Sequence, residues 1–483
     1  MAQQKFLKDL LWLQLLNWLI KPFWILVLEN TVQNRLGESL YGSYFVVFNF
    51  SLLFTILMDM GMNSLLTRAL AAGRPPLNLW SAALPLKLVL SVVYASFTLL
   101  IGYHYELIWP VVLNQILLQW ILFFRAFLQG SGKARTDAWF SVSDRVIALV
   151  FCLVLIQGSW FAGAKGLLWF VLSQTAGYAI TLFLIARKVK RAILLPSGVS
   201  SEGKEGPLNM PQMLRSSLGF ALLALLMVGF TRIDAIMLQM LRTDGVFQAG
   251  IYARGFRLLD AGLIFPILMS TVLLPAFTGK SAGSRELSRL VETGALVMLL
   301  VAIPVSLIGF TYAGPIMDLL NPGAEGRNGQ GVMVLAWLMT AYLPMSLVYV
   351  FGTLLTALNR LSLLNMLALG ALLVNIVGNL LLVPQHGALG AAWSAGFTQL
   401  CFCSGCIWFA RRELKFGQLQ VYGKIVMLTA VCAFFAWILH QIGASWYMQV
   451  AGALFLWVIP VVIGKLHPDF HIREFLSKRN PEG

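Results

Sequence analysis

Apolar runs of about 20 residues recur along almost the whole chain, each long enough to cross the hydrocarbon core of a bilayer as a helix. In lipid a spanning segment must satisfy its own backbone N–H and C=O groups, which leaves the helix as the solution for runs without strand-like alternation. Fourteen such runs are read at 9–30, 40–64, 80–103, 106–129, 138–157, 162–186, 214–240, 249–276, 291–313, 330–356, 361–384, 387–410, 423–442 and 446–464. The expected fold is an all-α polytopic membrane protein. Composition agrees, since 11% of residues are charged and 59% hydrophobic, whereas a soluble domain carries about 25% charged residues.

The net charge of +15 would fit a nucleic-acid partner if the basic residues formed one face. They do not. With the N-terminus cytoplasmic, 24 Lys and Arg fall in cytoplasmic loops and tails and four (Arg35, Lys165, Arg242, Arg327) in outer loops. That asymmetry follows the positive-inside rule and puts both termini in the cytoplasm. No nucleic-acid partner is expected. Lys5, Lys8 and Asp9 precede the first run and no small-residue cleavage site follows it, so it reads as a retained span. The five cysteines (Cys152, Cys401, Cys403, Cys406, Cys432) lie inside apolar runs and argue against a disulfide framework. Cys401, Cys403 and Cys406 lack acidic or His partners and read as packing residues, so neither metal nor cofactor is expected.

The stretch 187–213 opens on Arg187, Lys188, Lys190 and Arg191 and turns Ser/Gly/Pro-rich. It reads as a cytoplasmic linker between a six-helix bundle at 1–186 and a second at 214–410, with two extra transmembrane helices and a cytoplasmic tail at 411–483. An internal repeat supports the division. Tyr41-Gly42-Ser43-Tyr44 opens the second run, and Ala249-Gly250-Ile251-Tyr252 opens the eighth, 208 residues later. Segment 125–186 also resembles 352–410, with Gly166-Leu167-Leu168-Trp169 against Gly390-Ala391-Ala392-Trp393. Six spans per half is an even number, so both halves insert the same way up. Two pseudo-symmetric bundles facing each other across a central cleft are expected.

A charge at the bilayer centre costs roughly 2.5–3.5 kcal/mol on insertion scales and persists where something offsets it. Leaving aside charges within three residues of a run end, seven cations lie inside the runs (Lys21, Lys87, Arg125, Arg145, Arg232, Arg254, Arg257) against four acids (Asp59, Asp144, Asp234, Asp260), a balance of +3. That surplus predicts a water-filled cavity that receives an anion.

Arg254, Arg257 and Asp260 wind along one face of the eighth run, roughly 8, 12 and 16 Å below its outer end. The antiparallel seventh run puts Arg232 and Asp234 about 12 and 9 Å below the same surface, and Lys21, followed by Pro22, reaches a comparable level from the first half. Arginine grips a phosphate bidentately, whereas lysine acts as a point charge. Arg254, Arg257, Arg232 and Lys21 are therefore candidate substrate contacts. The competing reading is a set of structural ion pairs, Arg232 with Asp260 for example. Lys87 reads as a snorkelling or entry residue and Arg125 as snorkelling. Asp59, before Gly61, reads as a cap ahead of a proton carrier. Asp234 and Asp260 read as charge-pairing or coupling acids, and Asp144 and Arg145 as partners for other helices. Asn375 and Asn379 share a face and are expected to hydrogen-bond across helices.

Leu36-Gly37-Glu38 with Tyr41-Gly42, then Asp59-Met60-Gly61-Met62, resembles the second-span signature of bacterial polysaccharide (O-antigen type) flippases of the multidrug/oligosaccharidyl-lipid/polysaccharide exporter superfamily. Arg232-Ile233-Asp234 with Gly250-Ile251-Tyr252 resembles the start of their second half, and Asn375 to Leu382 with His386-Gly387-Ala388-Leu389-Gly390-Ala391-Ala392 resembles their glycine-rich turn after the eleventh span. The likeness covers about residues 8–410. It implies a monomeric flippase of the bacterial cytoplasmic membrane that moves an undecaprenyl-pyrophosphate-linked oligosaccharide to the outer leaflet by alternating access, for cell-surface polysaccharides such as lipopolysaccharide O-antigen. Membrane lipids and polysaccharide polymerase machinery are the implied partners. With the inside negative, outward movement gains about 2.3 kcal/mol per charge per 100 mV. Two other classes stay open: a cation-coupled multidrug exporter, which needs an acidic or aromatic cavity, and a membrane glycosyltransferase or polymerase. The latter needs catalytic groups on a large outer loop, and the longest, near 314–329, offers only Asp318 and Glu325. No catalytic residue is expected.

Overall fold

The computed structural model describes residues 16–17, 19–71, 73–158, 160–194, 210–278, 280–321, 329–414 and 419–462. Lys5, Lys8, Asp9, the middle of the 187–213 linker, Glu325, Arg327 and the tail beyond 462 lie outside them. The helices are α1 (Trp24–Glu29, wound as a π-helix), α2 (Asn30–Leu36), α3 (Glu38–Phe54), α4 (Ile56–Asp59), α5 (Met62–Ala71), α6 (Pro76–Ile101), α7 (Ile108–Gly130), α8 (Ala134–Phe140), α9 (Ser143–Ile156) and α10 (Gly163–Leu194). After the linker come α11 (Met210–Leu241), α12 (Gly245–Phe277), α13 (Arg285–Thr311), α14 (Ala313–Leu320), α15 (Gly329–Ala357), α16 (Leu361–His386), α17 (Ala388–Glu413), α18 (Leu419–Gln441) and α19 (Trp446–Val462).

Among the described residues ten helical segments are long and apolar enough to cross a bilayer, and two shorter apolar helices, Met427–Gln441 and Trp446–Val458, follow. They coincide with the second to eleventh runs and the last two. The twelfth run is α17, whose Gly390, Ala391, Ala392, Ser394 and Ala395 are buried in the protein. Its other face exposes Phe397, Leu400 and Trp408, so the low apolarity comes from the small and polar residues of the packed face, which allow close helix contact.

Prolines inside these helices free backbone carbonyls, and the fold recaptures two of them with aromatic donors. Pro266 in α12 has no N–H for the Gly262 oxygen, and the Tyr342 hydroxyl of α15 donates to that oxygen at 3.1 Å. Pro304 in α13 likewise frees the Leu300 oxygen, and Trp457 Nε1 of α19 donates to it at 2.8 Å. An unpaired carbonyl in hydrocarbon would cost several kcal/mol. The break in the second run falls at Met60, left-handed at φ 41°, and Asp59 Oδ1 accepts the Asn63 N–H at 3.2 Å. Asp59 thus caps the helix that follows.

In the second half α15 packs on α12, α13 and α17, and α16 on α11 and α17. In the first, α10 packs on α7 and α9, and α5 on α7. Helices α18 and α19 pair with each other and dock on α13 through Leu296, Cys432 and Trp457. The halves meet where α3 lies on α11 and α12 and where α1 lies on α12. Two glycines set that approach. A Cβ on Gly42 would stand 2.0 Å from the Val246 carbonyl oxygen, and one on Gly250 would stand 2.2 Å from the Glu38 carbonyl oxygen. Both contacts are with backbone, so no side chain at either position fits the crossing. These glycines belong to the two copies of the repeat motif, so the repeats close on each other. They do so at the charge-poor end of the bundle.

Candidate anion site

Arg254 and Arg257 of α12 face the first half and are both 4% exposed. The helix that contains Pro22 runs without a break into α1, which winds as a π-helix and carries Glu29 to Arg257. Glu29 Oε2 lies 3.7 Å from Arg257 Nε, and the guanidinium stacks over the Tyr41 ring at 4.1 Å. Glu29 is otherwise satisfied by Trp24 Nε1 at 2.8 Å and by the Tyr41 hydroxyl at 3.1 Å. None of the three nitrogens of Arg257 has a hydrogen-bond acceptor. Buried polar groups are almost always bonded, and a guanidinium carries five N–H donors. A buried arginine with an ion pair of 3.7 Å and no hydrogen-bond acceptor on any nitrogen is a candidate anion contact.

Arg254, one turn nearer the charge-poor face, has its donors committed. Its Nε donates to Glu38 Oε1 and its Nη1 to Asn321 Oδ1 and, at 2.5 Å, to Asn34 Oδ1. Glu38 is 4% exposed and also accepts from Gln33 Nε2, which bonds the Gly250 carbonyl at 2.9 Å. Arg232 of α11 pairs with Asp260 through two bonds of 3.0 and 3.2 Å and stacks on Phe256 at 4.9 Å. The structural ion pair weighed for Arg232 is therefore present. Asp234 takes no arginine among the described residues. It accepts from the Tyr252 hydroxyl at 2.7 Å, Asn379 Nδ2 at 2.7 Å and Asn375 Nδ2 at 3.0 Å. The cross-helix role expected of the two asparagines is this clamp on a buried carboxylate.

Lys21 sits deeper, eight residues before Glu29, or about 12 Å of helix. Its charged neighbours are Arg145, Arg125, Asp144 and Asp137 of the first half, so it does not join the α12 arginines at their level. Lys87 is fully enclosed: Nζ donates to the Met58 carbonyl at 3.0 Å and lies 6.0 Å over the Phe123 ring. It does not snorkel. Neither does Arg125, which grips Asp137 at 2.6 and 3.1 Å. Asp144 and Arg145 pair with each other at 3.4 Å, where partners on other helices were expected. In the α11–α12 loop Arg242 holds Asp244 at 2.6 and 3.2 Å, and that bond keeps the Asp244 carboxyl below its ordinary range.

The structure corrects the charge balance read from the sequence. Three carboxylates at the ends of the apolar runs, Glu29, Glu38 and Asp137, belong to the membrane-embedded set, because they hold Arg257, Arg254 and Arg125. The seven cations therefore face seven acids, and the surplus of +3 disappears. Among the buried arginines of the described residues, Arg257 alone has no hydrogen-bond acceptor on any nitrogen, which makes it the candidate anion contact. Sequence reasoning missed Glu29, Glu38, Asn34 and Asn321. Glu38 carried a signal, being the acid of Leu36-Gly37-Glu38, four residues before the repeat glycine.

Residues 6–279 match the family of polysaccharide biosynthesis proteins, and residues 209–460 match the family of the lipid II flippase MurJ. No curated protein matches the chain significantly in sequence. An inward-facing multidrug resistance MATE family transporter of the MOP superfamily shares the fold with a TM-score of 0.64 at 14% identity, over 83% of this chain and 97% of that one. MurJ in an inward closed conformation gives 0.63 at 11% identity, over 95% and 99%. A MOP superfamily transporter from Pyrococcus furiosus gives 0.61 at 13% identity, over 84% and 95%. With the first family spanning more than half its length, the MurJ family covering most of the rest and the fold common to MATE transporters and MurJ, this multi-pass membrane protein belongs to the polysaccharide biosynthesis protein family.

Proposed function

We propose that the chain flips an anionic lipid-linked oligosaccharide of the undecaprenyl-pyrophosphate type from the cytoplasmic to the outer leaflet by alternating access, in the synthesis of a cell-surface polysaccharide such as O-antigen. Both termini are placed in the cytoplasm and the charge-poor face outside. The observation that carries this reading is Arg257: buried between the halves, charged, and with no acceptor on any nitrogen. A pyrophosphate oxygen pair supplies what the planar fork lacks. Lys21, half-buried beside Arg145, is the second contact, deeper on the cytoplasmic side. Asp234, enclosed by neutral donors, is the acid best placed to take a coupling proton or sodium ion. The multidrug alternative fits less well, because a cavity for organic cations needs free carboxylates, whereas Glu29, Glu38 and Asp260 each face an arginine and Asp234 is buried among Tyr252, Asn375 and Asn379.

Deleting the protein is expected to cause one lipid-linked oligosaccharide to accumulate on the cytoplasmic side, identified by mass spectrometry of extracted lipids. Unchanged lipid-linked pools beside a loss of drug resistance would favour the multidrug reading. Arg232 is expected to be structural. Arg232→Leu alone leaves Asp260 without its partner and should lower thermal stability by about 1–3 kcal/mol, less than for a fully buried pair because both groups are about one-quarter exposed. Arg232→Leu with Asp260→Leu should restore both stability and transport. A stable but inactive double variant would instead return Arg232 to the list of cargo contacts.

A further inference from the structure

We propose that Arg254 and Glu38 form an ionic latch that holds the outer face shut, and that transport requires this latch to part. The proposal takes Arg254 out of the cargo contacts and depends on alternating access, whatever the cargo.

The bonds around Arg254 join segments far apart in sequence at one end of the bundle. Arg254 belongs to the second half, Glu38 and Asn34 to the first, and Asn321 closes the end of α14. Asn30 and Asn34 of α2 both donate to the Leu320 carbonyl, so α2 is tied to the same corner of the second half. Beneath this polar cap lies the Gly42–Gly250 crossing, where α3 and α12 touch backbone to backbone. An opening between the halves on this side must separate that crossing and break the Arg254–Glu38 pair. Both side chains are 3% exposed, so the pair is shielded from water while closed. One feature makes it removable and replaceable by design. Gln33 donates its amide to Glu38 while its own Oε1 has no partner. Turning that amide over would present an acceptor to a cation at position 38 in exchange for the bond to the Gly250 carbonyl, and Asn321, whose amide nitrogen now reaches only the Met317 sulfur, can turn to donate to a carboxylate at position 254.

The test uses the full chain in intact cells, with the five native cysteines replaced and Val46→Cys as reporter. Val46 is fully buried on α3, one turn beneath Gly42 on the same face, so an outer opening exposes it. A membrane-impermeant maleimide added outside is expected to label the closed protein slowly. Glu38→Gln and Arg254→Gln should each speed labelling roughly tenfold or more, because losing one partner of a buried pair shifts such an equilibrium by at least a decade. The swap Glu38→Arg with Arg254→Glu should return labelling toward the parent rate. Labelling unchanged by either single variant in monodisperse protein would overturn the latch, and so would a swap that labels as fast as the singles. If Glu38→Gln fails to accumulate, Glu38→Asp on the same reporter keeps the charge but shortens its reach. Faster labelling is then expected, and the parent rate would overturn the proposal. Because no cargo enters this measurement, its failure is separate from a failure to find an accumulating lipid-linked oligosaccharide.

Discussion

Replacing Arg257 by alanine is expected to abolish transport and leave a folded protein. The two halves of that expectation rest on different contacts. Removing the guanidinium forfeits its stacking on Tyr41 and a loose 3.7 Å pairing, but Glu29 keeps Trp24 Nε1 and the Tyr41 hydroxyl. The cost to stability should be about 1–2 kcal/mol. A phosphate held by two charge-assisted bonds of about 1.5–3 kcal/mol each loses at least roughly a hundredfold in binding. Arg257→Lys keeps the charge, loses the fork and should recover part of the rate. Arg254→Ala should behave differently, since it strands the buried Glu38 carboxylate and should cost about 3–5 kcal/mol. Complementation of the deletion strain together with thermal unfolding in detergent separates the two. Transport at the parent rate by Arg257→Ala, or a loss of stability equal to that of Arg254→Ala, would remove Arg257 as the anion receptor.

Gly250→Ala and Gly42→Ala are expected to cut transport at least as severely, by a route that touches no charge. Alanine is the better helix former by about 1 kcal/mol, so an isolated helix would gain from either change. In the crossing the new methyl meets a carbonyl oxygen at 2.2 or 2.0 Å, and the whole helix must retreat. Overpacking of this kind costs about 1–3 kcal/mol. Because the contact exists only when the outer face is closed, the cost falls on that state alone, and the protein should rest outward-open. Gly370, also in a helix but with nothing within 4 Å of an added Cβ, is the internal control. Gly370→Ala should be active and slightly stabilised. Outer accessibility to thiol reagents checks all three variants, and a fully active Gly42→Ala with unchanged accessibility would rule out the crossing as the closed contact.

How much of this was legible in the sequence follows from what each signal depends on. Hydropathy is a local property, so the apolar runs mark their helices well, and the exception is instructive. Helix α17 packs one face through Gly390, Ala391, Ala392 and Ser394, and these small residues dilute the apolarity that Phe397, Leu400 and Trp408 give its exposed face. The antiparallel placement of the seventh and eighth runs was enough to anticipate Arg232 with Asp260. Charge pairing across the halves was not readable. Arg254 and Glu38 are 216 residues apart, and Glu29 and Glu38 sit where an apolar run ends, positions that ordinarily meet water. The surplus of positive charge was an artefact of that boundary. The asparagines at 375 and 379 were assigned to cross-helix bonding, but their partner, Asp234, is fixed by the packing of α11 on α16.

The indole of Trp457 on the Leu300 carbonyl bears on how short a chain of this architecture can become. Trimming the polypeptide to twelve helices by stopping near residue 414 would delete the only donor the described residues offer to an oxygen that Pro304 cannot serve. It would also take Gln449 from the Tyr312 hydroxyl. The α13 proline and the last helix are therefore a matched pair: a truncation that keeps the proline leaves a bare carbonyl facing hydrocarbon, and one that also gives residue 304 an N–H removes that part of the cost.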